Sequence, residues 1–270
     1  MTPSPVITID SLDDPRLAHY RNLKDRDLAA QGGLFIAEGE AVTRRLLASD
    51  FEVESVLAAS QRAGRIIDLP RGSAPLYLVD HTLVNRIVGF KFHSGILAVG
   101  RRRPSPTLAE LARDWPARVM LVVCPEIANT ENLGALVRIA AGFGATAMLL
   151  GEHCCDPFYR QAIRVSMGTV FSLPLIRSQD IVQDLRALKT HGVELAATVL
   201  DEQAQPLAQA QARARMALLL GNEAQGLPPH LVSLCDRKLT IPMQLGTDSL
   251  NVYVAAGVLL FHFTQGAGRL

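Results

Sequence analysis

Val119-Met-Leu-Val-Val-Cys124 is a continuous apolar run without charge or alternation, the pattern of a strand buried on both faces of a sheet. Similar runs recur at Ala147–Leu150, Phe171–Ile176, Val193–Thr198 and Ala217–Leu220, with helical periodicity between several of them. Strands separated by helices predict a parallel sheet covered on both faces. Ligands of such sheets sit beyond the carboxyl ends of the strands, so the residues that follow these runs are where a site is expected.

Three motifs fall there. Asn132-Leu-Gly-Ala-Leu-Val-Arg138 opens a helix with Asn129 and Thr130 as candidate caps and an apolar face of Leu133, Leu136, Val137 and Ala140. Gly134, Arg138, Ala141 and Gly142 form a second face, where small residues around one arginine let another chain or a nucleic acid approach the guanidinium. Tight helix packing, with Arg138 paired to a carboxylate, is the alternative. Gly221-Asn-Glu-Ala-Gln-Gly226 follows the strand Met216–Leu220, and its two glycines allow a sharp turn that presents backbone amides. Ile241-Pro-Met243 closes the last strand, and Ser249-Leu-Asn251 starts an apolar helix through Val254, Ala255, Val258 and Leu259, with Asp248 or Ser249 as cap.

Gly142-Phe-Gly-Ala-Thr-Ala147 has the spacing of a dinucleotide fingerprint, but it follows a helix and precedes a strand. The fingerprint requires the reverse order. These glycines read as a helix end, which argues against a nicotinamide-dependent dehydrogenase.

In order and spacing the three motifs resemble those of the SpoU/TrmH family of RNA ribose 2'-O-methyltransferases. The resemblance implies an α/β fold: a C-terminal parallel sheet covered by helices and tied in a deep trefoil knot (the SPOUT fold), preceded by a small L30e-like α/β domain. It implies S-adenosylmethionine as cofactor, no metal, and a partner RNA, ribosomal in preference to transfer RNA. A homodimer through the catalytic domain is implied as well. The matching catalytic positions are Asn132, Arg138, Glu223, Ser249 and Asn251. Those matching the cofactor site are Thr198, Gly221, Asn222, Gly226, Ile241, Met243 and Leu250. Glu223 either bonds backbone amides or lies beside the reacting hydroxyl. A guanidinium stays protonated in proteins, so Arg138 reads as a cation that holds phosphate and stabilises the developing alkoxide. A non-catalytic RNA-binding factor, acting in assembly or antibiotic resistance by occupancy, is the alternative; the presence of every polar motif residue argues against it.

Arg164-Val-Ser-Met-Gly168 matches a further family pattern, and Gly168 also suits a helix end. Arg164, Ser166, Glu38 and Arg44 are the candidate RNA contacts. Two departures leave the target open. Pro125-Glu-Ile-Ala-Asn-Thr-Glu131 replaces the frequent Asp-Pro-x-Asn form, and Arg138-Ile-Ala140 replaces Arg-Thr-Ala.

Upstream, Leu34-Phe-Ile36 leads into a helix over 38–49, Val53–Leu57 reads as a strand, Asp80 caps another helix, and Gly95–Val99 closes as a strand. This first layer, residues 1–100, resembles the family's substrate-binding domain. Acidic Glu38 and Glu40 suit a helix start. Arg16, Arg21, Lys24 and Arg26 alternate with Asp13, Asp14, Asp25 and Asp27, as on a salt-bridged surface. Arg101-Arg-Arg-Pro-Ser-Pro106 marks a solvated linker over 101–116, with the catalytic domain over 117–270.

Twenty-seven basic against 26 acidic residues give a net charge of +1, so any RNA surface must be local. Four cysteines without Cys-x-x-Cys spacing exclude a disulfide framework and a zinc cluster. The chain start lacks a secretory pattern and no run approaches a membrane span, so a cytoplasmic protein is expected.

Overall fold

A computed structural model describes residues 5–21, 25–30, 33–88, 94–245 and 249–265. The chain divides into two compact units, one of Met1–Pro104 with Pro157–Ser172, the other of Ser105–Asp156 with Leu173–Leu270. The strands of the first are β1 (Val6–Ile9), β2 (Leu34–Glu38), β3 (Val53–Ala59), β4 (Leu76–Val79) and β5 (Ile96–Arg101). The second holds β6 (Val119–Cys124), β7 (Ala147–Leu150), β8 (Leu175–Arg177), β9 (Glu194–Thr198), β10 (Gln205–Pro206), β11 (Arg215–Leu219) and β12 (Arg237–Thr240). The α-helices are α1 (Asp25–Ala30), α2 (Glu40–Leu47), α3 (His81–Val88), α4 (Leu108–Arg113), α5 (Thr130–Gly142), α6 (Arg160–Val165), α7 (Ile181–Thr190), α8 (Pro229–Val232) and α9 (Val252–Thr264).

The first unit is a mixed sheet in the order β1-β4-β3-β5-β2, parallel from β1 to β3 and antiparallel across β5. One of its faces buries Leu17, Tyr20, Leu57, Leu97 and Val99, and the Tyr20 hydroxyl meets that of Ser55 at 2.8 Å. Gly39, at φ +100°, separates β2 from α2. The helix therefore begins at Glu40 rather than Glu38, which ends the strand. Asp80 accepts from the Thr82 amide at 2.8 Å, as its capping role requires.

Residues 157–172 fold onto this sheet. Phe158 and Phe171 lie 5.3 and 5.5 Å from the ring of Phe35, and Phe51 completes the cluster. Gly100 is needed beneath it, since a Cβ there would lie 2.4 Å from the Phe35 ring. The apolar run read as a strand over 171–176 is split instead: Thr169–Phe171 forms a 3₁₀ turn and β8 starts at Leu175. Burial of Phe171 in the aromatic cluster outweighs its strand propensity.

The arginine run is not a free turn. Arg101 pairs with Glu54, Arg102 lies over the Phe158 ring and Arg103 over that of Phe51. Within the span expected to be a linker, α4 forms behind a capping box of Thr107 and Glu110. Asp14 accepts from Arg16, and Arg21 donates to the Asp14 carbonyl at 2.8 Å, so these charges serve local structure. Lys24 and Asp248 lie outside the described residues.

The second unit is a seven-stranded, wholly parallel sheet in the order β10-β12-β9-β11-β6-β7-β8. Leu121, Leu149, Leu195 and Leu219 pack against Leu185 and Leu188 of α7. Burying each leucine contributes about 1.5–3 kcal/mol. The helices α5 and α9 run alongside each other in parallel: Asn132 meets Asn251, Ile139 approaches Gly257 and Phe143 faces Phe261. Gly144, at φ +73°, ends α5 as expected. Among the described residues no helix is long and apolar enough to cross a membrane, and no group of His, Cys, Asp or Glu could hold a metal.

Candidate functional site

The strands β9, β11, β6 and β12 end on one edge of the parallel sheet, and the segments that follow three of them enclose a cavity of about 570 Å³. That volume suits a small-molecule ligand. The lining comes from Thr198–Leu200 after β9, Leu220–Leu227 after β11, Leu239, Ile241 and Met243 around the end of β12, and Ser249–Val252 with Ala255 and Leu259 at the start of α9. Thr198 donates its hydroxyl to the Leu219 carbonyl at 2.8 Å, tying two strand ends together.

The glycines of the loop after β11 do different things. Asn222 and Gly226 exchange backbone hydrogen bonds of 3.0 and 2.8 Å, closing the turn, and Gly226 sits at φ +69°. A Cβ on Gly221 would lie 2.4 Å from the Gly226 carbonyl carbon, so the loop closes only because that atom is absent. The Asn222 side chain accepts from the Ala224 amide at 2.8 Å and holds the turn from inside.

Three side chains from distant segments meet beside it. Asn129 caps α5 by accepting from the Glu131 and Asn132 amides at 2.8 and 3.1 Å, which orients the first turn. From that turn Asn132, largely buried, donates its amide to the Glu223 carboxylate. Asn251 donates to the Asn132 side-chain oxygen at 3.3 Å and accepts from the Tyr253 amide at 3.1 Å. Asn251 is therefore the cap of α9, in place of Asp248 or Ser249: the helix begins at Val252, two residues later than a Ser249 start requires. Each amide in the row has one orientation, fixed by its donor and acceptor. At the end of β6, burial and then nearby Cys154 and Glu223 push the Cys124 thiol up from its ordinary pKa.

Thr198, Gly221, Asn222, Gly226, Ile241, Met243 and Leu250 thus line one cavity together with Glu223, Ser249 and Asn251, and Asn132 is bonded to two of these. Arg138 is different. Six residues along a helix turn it about 120° from Asn132; it is exposed, does not line the cavity, and has no ion-pair partner among the described residues. Sequence reasoning did not pick out Val199, Leu200 and Gln225 of the lining, which carry no chemical signature of their own.

The remaining candidates lie in the first unit. Glu38 accepts from Arg160 at 2.8 Å, Arg44 pairs with Glu40, and Arg164 bonds Gln161 at 2.7 Å. Ser166 is 1% exposed; its hydroxyl donates to the Ile163 carbonyl and accepts from the Gly168 amide at 3.2 Å. That hydroxyl is thus buried and engaged in closing the helix, which places it away from any surface ligand.

A comparison with known protein families matches residues 119–261 to the SpoU rRNA Methylase family. An uncharacterized tRNA/rRNA methyltransferase of Mycobacterium tuberculosis is 38% identical over 96% of this chain and 91% of its own length. The 23S rRNA (guanosine(2553)-2'-O)-methyltransferase RlmP of Bacillus subtilis is 27% identical over 94% of this chain and 98% of its own. Among solved structures, the AdoMet-bound rRNA methyltransferase of Sinorhizobium meliloti superposes with a TM-score of 0.78 at 25% identity, covering 95% of this chain and 96% of that one.

Proposed function

This chain belongs to the SpoU rRNA methylase family, an S-adenosylmethionine-dependent RNA ribose 2'-O-methyltransferase by class, and from that premise we propose that it methylates a 2'-hydroxyl of structured ribosomal RNA. The observation that carries the reading is the meeting of Asn132, Glu223 and Asn251, a hydrogen-bonded polar row of which Glu223 and Asn251 line the cavity. Ribosomal RNA is preferred to transfer RNA because RlmP, aligned over nearly its whole length, acts on 23S rRNA.

The cavity fits the cofactor. Ile241, Met243 and Leu250 offer an apolar lining for adenine, while the turn from Gly221 to Gly226, closed by its own backbone hydrogen bonds, lines the cavity beside the polar end. Bound there, S-adenosylmethionine supplies a methyl group already activated by its sulfonium, so the protein's task is alignment. Asn132 and Asn251, locked by Glu223 and the Tyr253 amide, orient the ribose, with Ser249 beside them. Arg138, exposed and without an ion-pair partner among the described residues, holds RNA phosphate and steadies negative charge on the attacking oxygen. The knot expected of the family ties the loops around this cavity.

We further propose that the active form is a homodimer through the second unit. Val254, Val258 and Phe261 are 41%, 41% and 56% exposed on α9 at a spacing that gives one apolar stripe. A second copy covers it.

The direct test is incubation with methyl-labelled S-adenosylmethionine and total RNA of the host organism, followed by nuclease digestion and mass spectrometry. A 2'-O-methylated nucleoside made by the intact protein and not by Arg138→Ala is the expected result. Cofactor and RNA bound without any methyl transfer would favour an occupancy factor instead.

A further inference from the structure

The chain bends at Pro125 between the end of β6 and the start of α5. In a closed turn the carbonyl of the first residue bonds the amide of the fourth. Here the Cys154 thiol stands between those two groups, donating to the Cys124 carbonyl at 3.0 Å and accepting from the Ile127 amide at 3.3 Å. Burial pushes this thiol up from its ordinary pKa, so at neutral pH it keeps the proton that it donates.

Backbone bonds complete the attachment. The Cys124 carbonyl also accepts from the Gly151 amide at 2.8 Å, and the Ile127 carbonyl accepts from the Cys155 amide at 2.8 Å. A Cβ on Gly151 would lie 2.1 Å from the Pro125 carbonyl oxygen, so the two segments approach this closely only with glycine there. Segment 151–155 is itself fixed from β8 and α7. One guanidinium nitrogen of Arg177, at the end of β8, donates to the Cys154 and Cys155 carbonyls at 3.3 and 3.1 Å, and Glu152 accepts from the Ile181 amide at 2.9 Å.

Two residues beyond Ile127 comes Asn129, the cap of α5, and then Asn132 with its bonds to Glu223 and Asn251. Bonds therefore run without a break from Arg177 through Cys154 to the segment that aims Asn132. A group that orients a substrate must be held to within about 0.5 Å, which its own helix cannot ensure unless the entry to that helix is fixed.

We propose that Cys154 and Arg177 are positioning residues for methyl transfer, setting Asn132 against the ribose without touching cofactor or RNA, a role that rests on the functional reading above. Neither lines the cavity.

The test uses the full chain with Cys154→Ala, Cys154→Ser and Arg177→Met, and with Cys154→Ala and Arg177→Met each combined with Glu223→Ala. Methyl transfer to cellular RNA gives kcat and KM, calorimetry gives S-adenosylmethionine affinity, and melting reports the folded fraction. Cys154→Ala and Arg177→Met are expected to lower kcat about 10- to 100-fold, as a misplaced reacting group does, with cofactor affinity unchanged. Cys154→Ser, whose hydroxyl still donates and accepts, restores most of kcat. With Glu223→Ala already present, Asn132 has lost its acceptor and the same substitutions lower kcat little further, which a general loss of stability would not reproduce. Should Cys154→Ala fail to fold, the half-buried Arg177 carries the same comparison. Full kcat in the folded variants, losses that multiply undiminished through Glu223→Ala, or cofactor affinity falling in step with kcat would each overturn the positioning role while leaving the methyltransferase reading intact. A wild-type protein that methylates no RNA overturns both.

Discussion

Asn132 and Glu223, 91 residues apart in sequence, are joined side chain to side chain, and Asn251 extends the row from the other side. The bond is between an amide donor and a carboxylate acceptor, which decides what Glu223 does. It fixes the orientation of Asn132 rather than meeting the loop's backbone amides.

An acceptor oxygen is all that this role requires, so Glu223→Gln is expected to keep most of kcat, whereas Glu223→Ala leaves Asn132 free to turn. The truncation should lower kcat about 10- to 100-fold, the equivalent of an unsatisfied buried donor at about 1–3 kcal/mol. Steady-state kinetics on the two variants decide between positioning and base catalysis, because a base would be lost equally in both.

The two loop glycines should fail differently. Gly226→Ala forces a left-handed residue and costs about 1–2 kcal/mol of stability. Gly221→Ala drives a Cβ into the backbone of Gly226, 2.4 Å away, and moves the cavity wall. Its S-adenosylmethionine affinity should fall at least about tenfold, corresponding to about 1.4 kcal/mol. Calorimetry and thermal melting on the same samples separate the effects.

Gly100→Ala should destabilise the first unit by about 1–3 kcal/mol through overpacking against Phe35. Phe35→Leu in the same chain makes room and should recover part of the loss. Additive melting temperatures in the double variant would show that the clash is relieved by other means.

Asp14 has its carboxyl held down to about 2 from the ordinary 3.8, chiefly by the Arg16 side chain and amide. A lowered carboxylate stabilises the fold above its unfolded pKa, and that contribution disappears as pH falls through the folded value. Wild type should therefore exceed Asp14→Asn in stability at neutral pH, with the difference vanishing between about pH 4 and pH 2. Acid titrations followed by circular dichroism would reveal it.

If the α9 stripe is the dimer contact, Val258→Glu/Phe261→Glu should run as a folded monomer in light scattering, while wild type runs as a dimer. A monomeric wild type at micromolar concentration removes that part of the proposal.

Local chemistry was legible in the sequence where it was self-contained. Asn129 and Asp80 cap because capping needs only the next three residues, and Gly144 ends α5 because only its own φ is at stake. The start of α9 was misjudged because Asp248, Ser249 and Asn251 are all good caps, and the contact that selects Asn251 comes from α5. Phe171 reads as strand in any local window; the aromatic cluster that claims it is assembled from Phe35, Phe51 and Phe158, far away in the chain. The pairing of Glu38 with Arg160 had no local signal at all.

Residues 157–172 lie between two strands of the parallel sheet in sequence, yet they belong to the other compact unit. The two units are therefore not interchangeable cassettes. A chimera that exchanges residues 1–104 with those of a relative would set a foreign sheet against the native Phe158, Arg160 and Phe171, and would need residues 157–172 from the same donor to fold. By the same logic, a fragment starting at residue 117 carries those aromatic side chains without their cover, and substitutions accepted by lineages of this chain should travel in pairs across that distance.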